Sequence, residues 1–426
     1  MTQKVSAYYH RSNFPCGVTV NMDAEFADQI RNRLGAEKSR KSYPAGFPTL
    51  PPVPAARYCD PAFFELEREH VFSKNWLFVA HADELPEAGD VVLLDQFPAP
   101  TLLVRSEDRQ IRAFYNTCRH RGAPLVREAR AKVKTRLLCQ YHSWSYDLEG
   151  RLRGVPDSEN FQNLNKSCLG LGAIRCENWA SLVFINFDRN AVPLREFLAP
   201  ILRNMDEEIG DGAPQHQSRF VHKSVTPMRG NWKLATDANI ETYHVNTVHK
   251  DLSAVLDQKA TTIWLLANGH SRMFNGQRYP IERNPAVPRL ARVNPVTGEG
   301  VYAYLIYPNT VMVVSPTLIF TTQAWPLGPG ESRYDAYYLM AEPNNERNRT
   351  SYERMIAATE KILKEDLGNL AFMQKSFEAG TIESIPLGFQ ERRIYYLHEM
   401  IDRSIGDELI PTRLRVPAML EEFIEQ

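Results

Sequence analysis

Asn116-Thr-Cys-Arg-His-Arg-Gly-Ala-Pro124 and Cys139-Gln-Tyr-His-Ser-Trp144 are the two stretches from which the rest of the chain can be read. Cys118-x-His120 is followed, after 18 residues, by Cys139-x-x-His142. Two thiolates and two imidazoles at loop spacing suit either zinc or an iron–sulfur cluster. A zinc finger pairs like with like, two cysteines in one loop and two histidines in the other. Here each loop carries one of each. A two-iron cluster in which both cysteines bind one iron and both histidines the other needs that mixed pattern, and the spacing points to it. Cys16, Cys59, Cys168 and Cys176 have no partner at ligand spacing and read as small apolar residues.

Short runs rich in Val, Ile, Leu and aromatics surround these loops: Val91–Leu94, Thr101–Arg105, Ile111–Tyr115, Arg136–Cys139 and Leu182–Phe187. They predict a small β-domain. Ahead of it lie a short helix around Ala24–Leu34, an extended Pro-rich linker over residues 43–54, and a helix Ala62–Phe72 introduced by Asp60 and Pro61 as cap and first residue. Helical spacing returns over residues 195–210. Tyr302–Ile306, Val311–Ser315, Ile319–Trp325 and Tyr334–Met340 read as neighbours in one antiparallel sheet, and Tyr352–Glu378 as a long helix. The proline- and arginine-containing stretch His270–Gly300 reads as a long surface loop. The expected fold is α+β, with boundaries at 1–55 for an N-terminal arm, 56–190 for the cluster domain with its lead-in helix, and 191–426 for a larger domain.

Lys+Arg number 50 and Asp+Glu 51 in 426 residues, a balance of −1 that argues against nucleic-acid binding. No apolar run approaches the roughly 18 residues of a membrane span, and the first residues lack the apolar core of a secretion signal, so a soluble cytoplasmic protein is expected.

A second cluster of chemistry-bearing residues runs from Asn231 to His249 and contains Asp237, Asn239, Glu241, His244 and His249. Two histidines and a carboxylate can form a facial triad on Fe(II), leaving positions for O2 and substrate. Five residues on an ideal helix separate His244 and His249 by about 140°. Both can reach one ion only if the helix breaks, which predicts irregular backbone around Val245–Val248. Glu241, one turn before His244, should lie beside it.

The chain resembles the Rieske non-haem iron oxygenases through the C-x-H…C-x2-H fingerprint, Phe72–Asp90, Asn231-Trp-Lys-Leu and the acid-x2-His-x4-His of Glu241, His244 and His249. Gln140 and Ser143 stand where the family usually has Pro and Gly. The resemblance implies a small all-β Rieske domain and a catalytic domain of helix-grip type, its antiparallel sheet flanked by helices. One Rieske 2Fe–2S cluster would be held by Cys118, His120, Cys139 and His142, and one mononuclear Fe(II) by His244, His249 and a carboxylate from the C-terminal helix. The family's E-D run followed eight residues later by Gln is matched by Glu365-Asp366 and Gln374, making Asp366 the expected ligand and Glu365 the runner-up. Glu241 would bridge subunits of a head-to-tail homotrimer and carry electron transfer from the neighbour's cluster. Asp237 and Asn239 read either as support for the iron ligands or as simple polar residues of their helix. The chain shows neither a dinucleotide fingerprint nor a second ferredoxin-type cysteine set. A separate NAD(P)H reductase, with or without a ferredoxin, is therefore expected, and a β subunit is compatible with the pattern.

The expected reaction is hydroxylation of an aromatic or other cyclic substrate, with or without a carboxylate. Pocket walls are expected from 301–340, Leu252–Met273 and the surroundings of Phe372 and Phe377. Trp264, Phe274, Phe320 and Trp325 are the aromatic candidates, and Arg272, Arg278 and Arg283 the partners for a carboxylate. The alternatives are oxygenation or N-demethylation of a quaternary ammonium compound, favoured by cation–π contact with the same aromatics, and a Rieske electron carrier with a degenerate second site.

Overall fold

The structure is a computed structural model that describes residues 22–95, 98–209, 218–278, 287, 290, 295–343 and 345–425. Cys16 and Arg283 lie outside them. Seven strands form one antiparallel sheet in the order Leu77–His81, Leu182–Asn186, Ala173–Trp179, Ile111–Tyr115, Thr101–Arg105, Asp90–Leu94, Arg130–Lys132. A three-stranded sheet of Arg136–Leu138, Ser145–Asp147 and Leu152–Gly154 stands beside it. The two Cys/His loops leave the ends of Ile111–Tyr115 and Arg136–Leu138. Leu102, Val104, Leu137, Trp144 and Tyr146 fill the core beneath them.

The second sheet orders Arg219–Arg229, Glu331–Met340, Ile319–Gly328, Thr310–Val314, Gly300–Ile306, Ser271–Gln277 and Leu256–Leu266, all antiparallel, with Ile424–Glu425 added in parallel at the edge. Both faces of its central strands are covered, so Gly300–Ile306 and Thr310–Val314 are apolar at nearly every position. Alternation still sorts the side chains: Ala303 and Leu305 pack with Leu234, Leu370 and Leu397, while Tyr302, Tyr304 and Ile306 pack with Ile30, Phe197 and Phe78. The first face thus receives the helices Trp232–Asn239, Glu346–Glu378 and Arg392–Ile405. The opposite face receives Met22–Ser39 and Leu194–Ile209.

The N-terminal helix is longer than its sequence pattern indicates. Ala27 and Ile30 are buried, and Arg31 and Arg33 pair with Glu299 and Glu425 at 2.6 and 2.8 Å. Asp60 accepts from Ala62 N–H and Phe63 N–H at 2.9 and 3.1 Å, starting a helix at Pro61. That helix widens into a π-turn over Glu67–Phe72, a distortion that often accompanies function. It carries the buried Glu67 to Lys233 Nζ at 2.6 Å and Trp232 Nε1 at 3.1 Å, tying the lead-in helix to the motif helix.

The 270–300 loop expectation is corrected. Ser271–Gln277 is a fully paired strand between Leu256–Leu266 and Gly300–Ile306. Arg272 sits in it because its guanidinium lies flat against Trp264 and Phe26, 4.3 and 4.6 Å from the ring centres. A charged residue on a strand therefore reads as loop from sequence although its stem and plane are packed. Among the described residues no helix is long and apolar enough to cross a membrane.

Candidate metal centres

Cys118 and Cys139 are buried, whereas His120 and His142 reach towards the surface. The two imidazole Nδ1 atoms face each other at 3.1 Å, near the roughly 3.4 Å separating two donors on one tetrahedral ion. Trp144 stacks on His120 with ring centres 4.8 Å apart. Arg119 N–H donates to the Tyr146 hydroxyl oxygen at 3.0 Å, which leaves the hydroxyl hydrogen for Cys118 Sγ at 3.2 Å. A donor to sulfur of this kind raises a cluster's reduction potential. Ser143 closes the second loop by donating its N–H to Cys139 O at 3.0 Å. Its φ of +57° is a left-handed conformation that glycine adopts more easily, which explains the residue usual at this place in the resembled family. Leu138 and Tyr141 flank the imidazoles as exposed apolar side chains.

The second centre draws on three elements. The helix Trp232–Asn239 begins at Asn231, whose side chain accepts from Lys233 N–H, and ends at Ile240, whose carbonyl takes Arg393 Nη1. Val245–Val248 is a single helical turn, which corrects the expected irregularity there. The break falls instead at its two ends, in residues 240–243 and at His249 (φ −110°, ψ 85°). Those breaks rotate the two imidazoles onto one point. His244 Nε2 lies 3.2 Å from His249 Nε2, and Asp366 Oδ1 lies 2.8 Å from His249 Nε2 and 3.3 Å from His244 Nε2. Three donors at right angles, each about 2.1 Å from one ion, would be about 3.0 Å apart. The set can hold a six-coordinate cation facially, with the opposite face open.

Asp366 reaches this point because it shares the buried face of the helix Glu346–Glu378 with Leu363, Leu370 and Gln374. Gln374 fixes that helix by accepting from Asn231 N–H (2.9 Å) and donating to Tyr58 O (3.1 Å). Glu365 is not in the triad. Its Oε2 meets His249 Nδ1 at 2.9 Å, while Glu241 meets His244 Nδ1 and also caps the N–H groups of Tyr243 and His244. Each imidazole thus has a carboxylate on the nitrogen that faces away from the centre, which fixes tautomer and ring plane. Burial opposes a charge on His244, yet Asp366 and Glu241 together draw it up to about 10. The centre is a concentration of negative charge suited to a dication. Glu365→Gln is expected to weaken iron binding roughly tenfold to a hundredfold, read by chelator competition, with the cluster spectrum unchanged.

A cavity of about 190 Å³ opens beside the triad, its walls including Tyr58, Asp237, His244, Met373, Leu387 and Glu391. None of the aromatic candidates lines it. Trp264 and Phe274 pack on the opposite face of the sheet, Phe320 is a core residue between sheet and helices, and Trp325, of opposite parity on the same strand, lies beside Leu77, Val79 and Ile185 of the seven-stranded sheet. Phe372 is exposed, and Phe377 packs against Tyr58. Arg272 is engaged as above, and Arg278 caps Ser253 O at 2.8 Å. Asn239 donates to Ala235 O within its own helix.

Asp237 does line the cavity and is 9% exposed. Its Oδ2 accepts from the Tyr58 hydroxyl at 2.6 Å, and Tyr58 lies 2.9 Å from His398 Nε2. Arg57 Nε donates to His398 Nδ1 at 3.0 Å and Arg57 pairs with Asp402 at 2.7 Å. Burial pushes the Asp237 carboxyl up to about 7, with Tyr58 and Lys233 opposing. Arg57, Tyr58, Glu391 and His398 carry no motif spacing, and nothing in the sequence singles them out.

Residues 75–166 match the Rieske [2Fe-2S] domain and residues 216–407 match the catalytic domain of the ring hydroxylating alpha subunit. The chain belongs to the Rieske non-haem iron oxygenases, as an alpha-type oxygenase subunit with a 2Fe–2S cluster and a mononuclear iron as its cofactors. It is 28% identical over 370 residues to the carnitine monooxygenase oxygenase subunit of Escherichia coli K12, spanning 83% of this chain and 94% of that one. To the 2-aminobenzenesulfonate 2,3-dioxygenase subunit alpha of an Alcaligenes species it is 29% identical over 309 residues, 70% of this chain and 76% of the other. A solved quaternary ammonium Rieske monooxygenase shares the fold, with a TM-score of 0.72 at 20% identity over 86% of this chain and 100% of that one.

Proposed function

We propose that this oxygenase acts on a small cationic ammonium compound, taking electrons from a separate reductase. One observation carries the reading: the cavity beside the triad is walled by Asp237, Glu241, Asp366 and Glu391, and no Lys or Arg is among the described residues lining it. A carboxylated aromatic, the reading the sequence favours, would meet an acidic wall that offers its carboxylate no Lys or Arg. An ammonium group finds complementary charge and the ring of Tyr58. The volume is below the roughly 300 Å³ at which ordinary ligand pockets begin, which suits a compact substrate better than a polycyclic one. The similarity to an oxygenase subunit named for carnitine points the same way.

In this reading Cys118 and Cys139 hold one cluster iron and His120 and His142 the other, while His244, His249 and Asp366 hold the mononuclear iron. These groups supply electron storage and O2 activation when bound. The protein's own part is to fix the ligands through Tyr146, Glu241 and Glu365 and to present the substrate from the cavity. A head-to-tail homotrimer is part of the proposal. Its support is the exposure of apolar side chains beside both centres, Leu138 and Tyr141 at one and Tyr243 at the other.

Reductase-coupled O2 uptake tests the substrate class. Choline, betaines and carnitine are expected to drive uptake with release of an aldehyde product. Uptake with aromatic acids or polycyclic compounds and none with the ammonium series would overturn it.

A further inference from the structure

The Asp237 carboxylate is held in a way the metal centres do not require. Arg57 Nε–H occupies His398 Nδ1, so neutral His398 carries its hydrogen on Nε2 and points it at the Tyr58 oxygen. The Tyr58 hydroxyl hydrogen is then committed to Asp237 Oδ2. Burial, aided by Arg57 and Lys233, keeps His398 neutral, so the direction of this chain is fixed from Arg57 to Asp237. It is not a two-way proton wire, because Arg57 blocks the nitrogen through which His398 would be recharged.

The outcome is a carboxylate with one oxygen satisfied and the other without a donor. Asp237 Oδ1 is buried, and no described residue reaches it. The side chain forms part of the cavity wall. Leaving a buried carboxylate oxygen unpaired costs stability, and stability given up at a cavity wall is a mark of a binding group. Glu391, on the same wall, is already engaged by Gly388 N–H at 2.8 Å, and Glu241 and Asp366 are turned to the imidazoles. Among the four acids Asp237 is thus the one whose unpartnered oxygen is fully buried and whose carboxylate serves neither an imidazole nor a backbone N–H.

We infer that Asp237 is the specificity residue of the cavity, the uncompensated charge of its carboxylate drawing the ammonium group of the substrate to that wall, with Arg57, His398 and Tyr58 acting as positioning residues. The inference rests on the cationic-substrate reading above and adds to it the residue that enforces it.

The test is anaerobic calorimetric titration of the holoenzyme with choline and with its uncharged isostere, in which a tert-butyl group replaces the trimethylammonium. The wild type is expected to prefer choline by roughly tenfold to a hundredfold. Asp237→Asn, which keeps the volume and the acceptor for Tyr58, should bind the isostere as before and lose most of that preference. Its melting temperature near neutral pH should equal or exceed that of the wild type, since a buried charge is removed; a purely structural role would lower it. Asp237→Glu should retain a preference and Glu391→Gln most of it. Preference retained in Asp237→Asn would overturn the assignment while leaving the substrate class standing. No preference in the wild type would overturn both. Equal loss in Asp237→Glu and Asp237→Asn would show that packing and not charge is read, and would also overturn it.

Discussion

Asp366→Ala is expected to yield a protein with two irons per chain in place of three, an unaltered cluster spectrum and no measurable turnover. The reason is geometric. Its Oδ1 is the atom that closes the triangle with His244 Nε2 and His249 Nε2, and the Asp366 side chain is largely buried, with no second carboxylate among the described residues placed to substitute. Glu365, next in sequence, is held on the far nitrogen of His249 at 2.9 Å. The helix presents adjacent residues about 100° apart, so it cannot swing in without unwinding a turn that Gln374 anchors. Loss of activity should exceed the roughly hundredfold ceiling of outer-shell changes. Metal analysis with the cluster's absorbance decides it; three irons in the variant would remove Asp366 from the coordination set and return the question to Glu365.

Glu241→Gln is expected to leave all three irons bound while slowing single-turnover electron transfer from cluster to iron by about a hundredfold or more. The structure makes Gln the informative substitution. Glu241 accepts from Tyr243 N–H and His244 N–H as well as meeting His244 Nδ1, so Ala would also uncap the turn that aims His244. Gln preserves an acceptor for the backbone and removes the charge through which, in the proposed trimer, a neighbour's His120 or His142 would be met. Rapid-mixing of the reduced enzyme with O2 and substrate gives the rate. Wild-type transfer in this variant would end the bridge role, and iron loss would show that Glu241 serves only to hold His244.

Much of the architecture is legible in the sequence where the pattern is local. Thr101–Arg105 and Ile111–Tyr115 are strands with the expected bounds, because β-branched and apolar runs bounded by turns leave few alternatives. Asp60 and Pro61 start their helix for the same local reason. Ser271–Gln277 misleads because a buried Arg and Asn interrupt the strand signal, and the Arg is stacked on Trp264 of the neighbouring strand and on Phe26, which is remote in sequence. The aromatic candidates mislead for another reason. In a sheet covered on both faces apolar side chains stand on either side, so parity does not say which face looks at the centre. Trp264 and Phe274 are on the wrong one.

The sequence by itself determined the chemistry: soft and borderline donors paired as one Cys and one His per loop and two histidines five apart, to which the family resemblance adds the acid eight residues before a Gln. Such motifs are contiguous, and their spacing is set by loop and helix geometry alone. Only the tertiary structure decided what stands before the second centre. Its wall brings Tyr58 from the segment after the Pro-rich linker to Asp237 of the motif helix, and behind them His398 of the helix Arg392–Ile405, 340 residues from Tyr58, meets that hydroxyl at 2.9 Å. Side chains so distant along the chain meet because the sheet's helix-covered face packs them together, and no periodicity encodes the sign of the charge that results.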